Sequence, residues 1–311
     1  MMLPFFKSKL LKKTVLTCIL LGTVPSLIVG TFSYRKASSI IQDKVDEGCV
    51  NRLQQVQMSV EMQLSSKKKT LLQLIESPSV TQSAGIKKSG FEFEAFERIE
   101  NVINSLPSTS IPVYNVSLIN VEQQWVVDKT RIYSLADYEA QNPSVPSYIQ
   151  NPQKSFWNDD SRVFDPAGNV LANCVSIVQK YQNREGSYIG TIDIPYDSFG
   201  NLIKTTNSSG ITMLVSAEGK AIYSDRPEQS AAFSPQMISM LREKGKAGGS
   251  FELKSGESVW NVTYLRSGYN QWYYALATPM DAIMQDSRSI QWFTFCLLYT
   301  SPSPRDQRGS R

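Results

Sequence analysis

Phe156-Trp157-Asn158-Asp159-Asp160 sets two aromatic rings beside three hydrogen-bond acceptors, a combination suited to stacking on a small molecule while holding its polar end. The same run also reads as a lid over a core, with the Asx cluster forming a turn. Asp193 stands between Ile192 and Ile194, so on a strand its carboxylate points to the face opposite theirs, where it can pair with a cation or meet solvent. Adjacent acids such as Asp159 and Asp160 rarely converge on one reacting centre, and neither a nucleophile nor a histidine accompanies them. The 311 residues contain no histidine at all, which removes a His base, a His-ligated metal and a phospho-accepting His. No enzymatic activity, catalytic residue, metal site or cofactor is therefore expected. Of four cysteines, Cys18 and Cys296 lie in apolar runs, leaving Cys49 and Cys174, which is no disulfide framework.

The elements that position these residues begin at an uncharged stretch of 21 residues, Thr14 to Tyr34. At about 1.5 Å per residue it spans roughly 31 Å, close to the hydrocarbon thickness of a bilayer. Lys7, Lys9, Lys12 and Lys13 precede it with no acid among them, so residues 1–13 are expected to be a cytoplasmic tail and residues 35–290 extracytoplasmic. Those four lysines account for the whole net charge of +4, and the neutral remainder carries no nucleic-acid signature. A second apolar run, Trp292 to Thr300, is cut off by Ser301-Pro302-Ser303-Pro304. Residues 281–300 are read as a linker helix and an incomplete second membrane helix, and 301–311 as a non-native tail.

Apolar residues recur in steps of three or four from Ile41 to Leu74, and no proline intervenes before Pro78. Residues 35–77 thus read as one stalk helix, which both pairs with its twin in a homodimer and packs on its own domain, since the stripe is wider than a strict coiled-coil seam. Lys67-Lys68-Lys69 would point to different faces of that helix and is read as solvated surface. Residues 91–106 form an amphipathic helix pattern. Strand patterns follow at 113–121, 124–128, 173–181 and 188–194. A second unit runs strand, strand, helix, three strands from Ile211 to Thr278. Its helix is punctuated by Ser234 as N-cap, Pro235 at the first helical position and Gly245 at the C-terminus. The fold class is α+β: a long N-terminal helix carrying a distal module (78–200) and a proximal module (201–280).

A basic start, a membrane helix, a long helix, two α+β modules and a Trp-Tyr-Tyr strand ending at Pro279 resemble the double Cache (PAS-like) extracytoplasmic sensors of bacteria. The opening LLKKTVLTCILLGTVPSLIVGTFSYR, with SFWNDDSRVFD, CVSIVQKY and GTIDIP, is most similar to the sensor halves of membrane-bound AraC-type transcription regulators. Sensor histidine kinases carry similar halves. The resemblance implies that the distal module binds any ligand and the proximal module transmits to the membrane. Some Cache sensors hold amino acids through a Tyr, a basic residue, Trp, Tyr and a later Asp. Tyr148, Lys154, Phe156, Trp157 and Asp193 stand at comparable places, with a different spacing from Tyr148 to Lys154 and Phe156 where Trp is expected. The ligand-binding set is therefore Tyr148, Lys154, Trp157, Asp159 and Asp193, and the partner an extracytoplasmic small molecule or binding protein. A kinase sensor or a non-signalling extracytoplasmic binding module are the alternatives.

Overall fold

The structure is a computed structural model that describes residues 9–83, 85–86, 93–104, 111–164, 169–182, 186–203 and 210–282. Helix α1 (Lys9–Ile75) runs for 67 residues through Pro25 without a break. Downstream of the stretch expected to span a membrane, it buries Leu53, Val56, Val60, Leu64, Leu71 and Leu74, the stripe expected from the three-four spacing. Among the described residues no helix is long and apolar enough to cross a membrane. Several side chains of 14–34 lie outside the described residues, as do residues 283–311 with most of the expected linker helix, the second membrane segment and the tail. Within 14–34, Leu16, Leu20, Leu21, Ile28, Val29 and Phe32 are exposed.

Lys67 corrects the solvated reading of the lysine run. It follows Leu64 by three and precedes Leu71 by four, so it falls on the buried stripe and is only 4% exposed. Burial pushes its ammonium pKa down, and the charge of Lys129 adds to this.

The distal module follows α2 (Pro78–Thr81) and α3 (Phe93–Asn104). Its strands are β1 (Asn115–Asn120), β2 (Trp125–Val127) and β3 (Ile132–Ser134); then, after α4 (Leu135–Gln141) and α5 (Val145–Gln150), β4 (Ser155–Phe164), β5 (Val170–Gln182) and β6 (Ser187–Pro195). They form one antiparallel sheet in the order β3-β2-β1-β6-β5-β4. The run Phe156 to Asp160, whose Asx cluster was read as a turn, is instead part of edge strand β4, while Trp157 does pack on the core as a lid would. Its partner β5 supplies a full ladder, and an irregularity between Asn158 and Ser161 absorbs the Asx residues.

After α6 (Gly200–Ile203), β7 (Ile211–Val215) and β8 (Ala221–Ser224) open the proximal module. Helices α7 (Pro227–Ser230) and α8 (Ser234–Lys244) then lead into β9 (Gly248–Ser255), β10 (Ser258–Arg266) and β11 (Tyr273–Pro279). This sheet is ordered β8-β7-β11-β10-β9. Gly245 closes α8 at φ 55° as its residue type implies, but the cap shifts by one: Phe233 takes the N-cap position and Ser234 is already helical. Phe233 wins because its ring is buried in the module core, against Trp260.

One face of the distal sheet packs on α1 through Val116, Leu118, Val175, Ile177, Ile192 and Ile194, and the same core continues into Trp272, Tyr274 and Leu276. Gly190 marks the closest approach: a Cβ there would lie 2.5 Å from Ile75 Cδ1 and 2.8 Å from Leu71 Cδ1. The helix is thus the shared spine of both modules, with Asn261 Nδ2 also donating to Asp46 Oδ1 at 2.8 Å. The opposite face of the distal sheet lies under α4 and α5, with Ile119, Val126, Val178 and Ile189 against Leu135, Tyr138, Val145 and Tyr148.

Candidate functional site

Alternation along the strands sends Asp193, Thr191 and Ile189 to the α4–α5 face, and pairing brings Ser176 beside Asp193 and Ser117 beside Thr191. Ser176 Oγ donates to Asp193 Oδ1 at 2.5 Å, and the Ser117 and Thr191 hydroxyls share a 2.6 Å hydrogen bond. All four are buried. A buried sheet face is ordinarily apolar, because each polar group placed there costs desolvation unless it is bonded. A carboxylate and three hydroxyls at its centre are the informative exception.

Helices α4 and α5 bring two phenols over this patch. Ser134 caps α4, accepting from Asp137 N at 3.2 Å, and Tyr138 one turn later accepts from Asn115 Nδ2 at 3.4 Å. Tyr148 accepts from Asn158 Nδ2 at 2.9 Å and donates to Ser161 Oγ at 3.3 Å. Between phenols and sheet is a recess lined by Tyr138, Tyr148, Ser161, Arg162, Thr191 and Asp193, with about 10 Å³ of free space, room for one water molecule.

Burial pushes the Asp193 carboxyl up to about 6, offset in part by the Ser176 hydrogen bond. Burial, and secondly the Asp193 charge, raise the phenols of Tyr138 and Tyr148, and the same two causes push Cys174 up to about 12. Among the described residues no lysine or arginine pairs with Asp193. A buried carboxylate beside hydroxyls, with no ion-pair partner among the described residues, is suited to an ammonium or another hydrogen-bond-donating cation. Among the described residues no cluster of three or more Cys, Asp or Glu side chains is placed to hold a metal ion.

Of the residues singled out in the sequence, Tyr148 and Asp193 meet in this recess. Phe156 joins them, its ring edge-on to Tyr148 at 6.0 Å. Trp157, one residue on, points to the other face and packs against Tyr269 at 5.6 Å and Trp272 at 6.0 Å, in the proximal module. Asp159 also faces away from the recess: its Oδ2 accepts from Trp272 Nε1 at 3.1 Å and its carbonyl from the Tyr196 hydroxyl. Burial is the main reason its carboxyl is pushed up to about 6, followed by the opposing Trp272 hydrogen bond. Lys154 is exposed at the far end of β4, in an open groove with Glu76, Glu122 and Lys180.

Tyr138, Ser117, Ser161, Ser176 and Thr191 belong to the recess or to the polar patch beneath it and were not singled out. For three of these residues the signal was present: Ser117 and Ser176 each stand between large aliphatic residues and Thr191 precedes Ile192, on strands whose two faces are both covered. Tyr138 and Ser161 gave none, because α4, α5 and β4 carry no clean periodicity.

No family model matches the sequence. An uncharacterized HTH-type transcriptional regulator of Bacillus subtilis (strain 168), YtdP, is 22% identical over 301 residues, covering 90% of this chain and 38% of the relative. The chain thus spans well under half the length of that curated relative. Among solved structures, the ligand-binding domain of the Campylobacter jejuni chemoreceptor Tlp3, in complex with L-norvaline, superposes with a TM-score of 0.57 at 13% identity, covering 78% of this chain and 94% of that one. The extracellular domain of soHK1S-Z6, named as a histidine kinase, gives 0.55 at 11% identity, over 79% and 98% of the two chains. The ligand-binding domain of Mlp24 with asparagine gives 0.54 at 13%, over 81% and 98%. The fold is that of the Cache-type extracellular sensory domains, an α+β architecture with a long helix and two antiparallel sheets.

Proposed function

We propose that this chain is the extracytoplasmic sensory portion of a membrane-anchored signalling protein. Its distal module binds a small molecule carrying an ammonium or similar cationic group, and it relays to an AraC-type DNA-binding domain on the cytoplasmic side. The observation that carries the ligand class is the buried Asp193, which has no ion-pair partner among the described residues, at the centre of a hydroxyl-lined recess. The HTH-type relative supports the output, and the exposed apolar side chains between Leu16 and Phe32 support the membrane anchor. The exposed pair Met58 and Met62, one turn apart on α1, supports homodimerisation along the helix. A histidine-kinase output is the second reading, favoured by the likeness to soHK1S-Z6.

Binding is tested on the purified chain in detergent by thermal shift against the L-amino acids and a set of small amines. A stabilising compound whose effect vanishes in Asp193→Asn and survives in Trp157→Ala supports the recess. An effect indifferent to Asp193→Asn, or no stabilising amine at all, would retire this ligand class.

A further inference from the structure

The recess and the contact between the modules meet on one irregular turn of β4. Asn158 pairs with Ser176 and Ser161 with Cys174, so β4 uses three steps where β5 uses two, and the extra residue makes a bulge. The residues at its two ends face the recess, since Asn158 and Ser161 both bond the Tyr148 hydroxyl. The residues inside it, Asp159 and Asp160, face the proximal module. Asp159 receives the Trp272 indole N–H, and Asp160 pairs with Lys220.

Asn158 ties the two sides together. Its Nδ2 donates to Tyr148, while its Oδ1 accepts the Asp160 amide at 3.2 Å, bracing the bulge from within. On the far side, Trp272 belongs to a turn held by Ser267, whose Oγ accepts the amides of Tyr269 at 2.9 Å and Asn270 at 3.2 Å. Ser267 in turn donates to Glu61 of α1 at 2.6 Å. Free space for one water means that anything larger enters the recess only by displacing a lining group, and among those groups the Tyr148 hydroxyl is bonded to the brace.

We infer that the β4 bulge couples the recess to the proximal module, with Asn158 and Asp159 as positioning residues that transmit the state of Tyr148 to the Trp272 turn and so to α1. The trigger rests on the ligand reading above; the coupling itself is a property of the unliganded fold. Interfaces of this kind respond in steps, because packed rings such as Trp157 on Trp272 have few alternative arrangements.

The test is amide hydrogen exchange on the full chain in detergent, without ligand. Tyr148→Phe removes the hydroxyl that Asn158 bonds and is expected to speed exchange at Tyr269, Asn270 and Trp272 about fivefold, the effect of one lost hydrogen bond. Val126→Ala, which opens the same distal core away from β4, is expected to leave those amides unchanged. In an Asp159→Ala background Tyr148→Phe is expected to add nothing at the turn. Asn158→Ala cuts the same bond from the other side and is expected to reproduce Tyr148→Phe if that variant is poorly folded.

Acceleration that stops within α5 and β4, equal acceleration by Val126→Ala, or full additivity with Asp159→Ala each overturns the coupling. Because no ligand is present, failure of the amine screen leaves this result standing, and failure here leaves the screen intact.

Discussion

Trp272 and Asp159, 113 residues apart, share a 3.1 Å hydrogen bond that crosses from the proximal sheet to the edge of the distal one. The indole is fully buried and wedged edge-on between Trp157 and Phe199, so the bond has a fixed donor direction. Trp272→Phe deletes the donor and opens a small cavity where the indole stood, leaving a mostly buried carboxylate oxygen without its partner. Loss of about 1–3 kcal/mol is expected, read as a lower denaturant midpoint. Asp159→Asn retains an acceptor and should cost less. If the two variants were indistinguishable from the parent, the bond would hold nothing together.

The pH dependence follows from Asp193, whose folded value of about 6 lies above the ordinary carboxyl value of 3.8. The fold therefore binds that proton more tightly than the unfolded chain does. The resulting stability is fully present below about pH 4, falls as pH rises towards 6, and stays lost above it, a change of about 3 kcal/mol at 1.36 kcal/mol per unit. Asp159, also raised to about 6, acts in the same direction. Thermal unfolding between pH 4.5 and 7.5 should show the decline, and Asp193→Asn should remove about half of it, the rest belonging to Asp159. A midpoint that rises over this interval in the parent chain would contradict the assignment.

The same carboxyl sets the pH dependence of binding. A permanently cationic ligand needs Asp193 ionised, so affinity should rise through pH 6 and level off near 7 in a binding titration. Affinity independent of pH between 5 and 7 would place the cation elsewhere.

Lys67 makes a prediction of opposite sign to most core changes. It is buried on α1 with Lys129 nearby and no anion partner among the described residues. Lys67→Met keeps the stem and removes the desolvated charge, and should stabilise the chain by about 1–2 kcal/mol. A destabilised Lys67→Met variant would show that the ammonium has a role the burial does not reveal.

Gly190→Ala should cost about 1–3 kcal/mol, since its Cβ would press on Ile75 and Leu71 where α1 crosses β6. Relief of that cost by Ile75→Val, which shortens the nearest side chain, would be visible as a positive coupling in a double-mutant cycle.

The strongly patterned elements were legible in the residues. Leu53 to Leu74 names the buried stripe of α1 because a helix stacks positions three and four apart, whatever it packs on. Strand β6 and the strand-strand-helix-three-strand order of the proximal module follow from alternation and from turn glycines. β4 was not legible as a strand. Its Asn-Asp-Asp run has turn chemistry, and only pairing with thirteen-residue β5 makes it extended. Lys67 was misjudged for the reverse reason: a charged residue was placed outside, although its stripe position was already visible.

Sequence by itself determined the long helix, the α+β class, the order of elements from Ile211 to Thr278, the absence of histidine chemistry and the direction in which Asp193 points, since these depend on local periodicity and residue type. Only the tertiary structure decided which residues share a site. It put Tyr148 over Asp193, across forty-five positions, by folding α5 back onto the sheet. It sent Trp157 and Asp159 to the neighbouring module instead, because adjacent residues on a strand face opposite sides and a bulge re-aims those that follow.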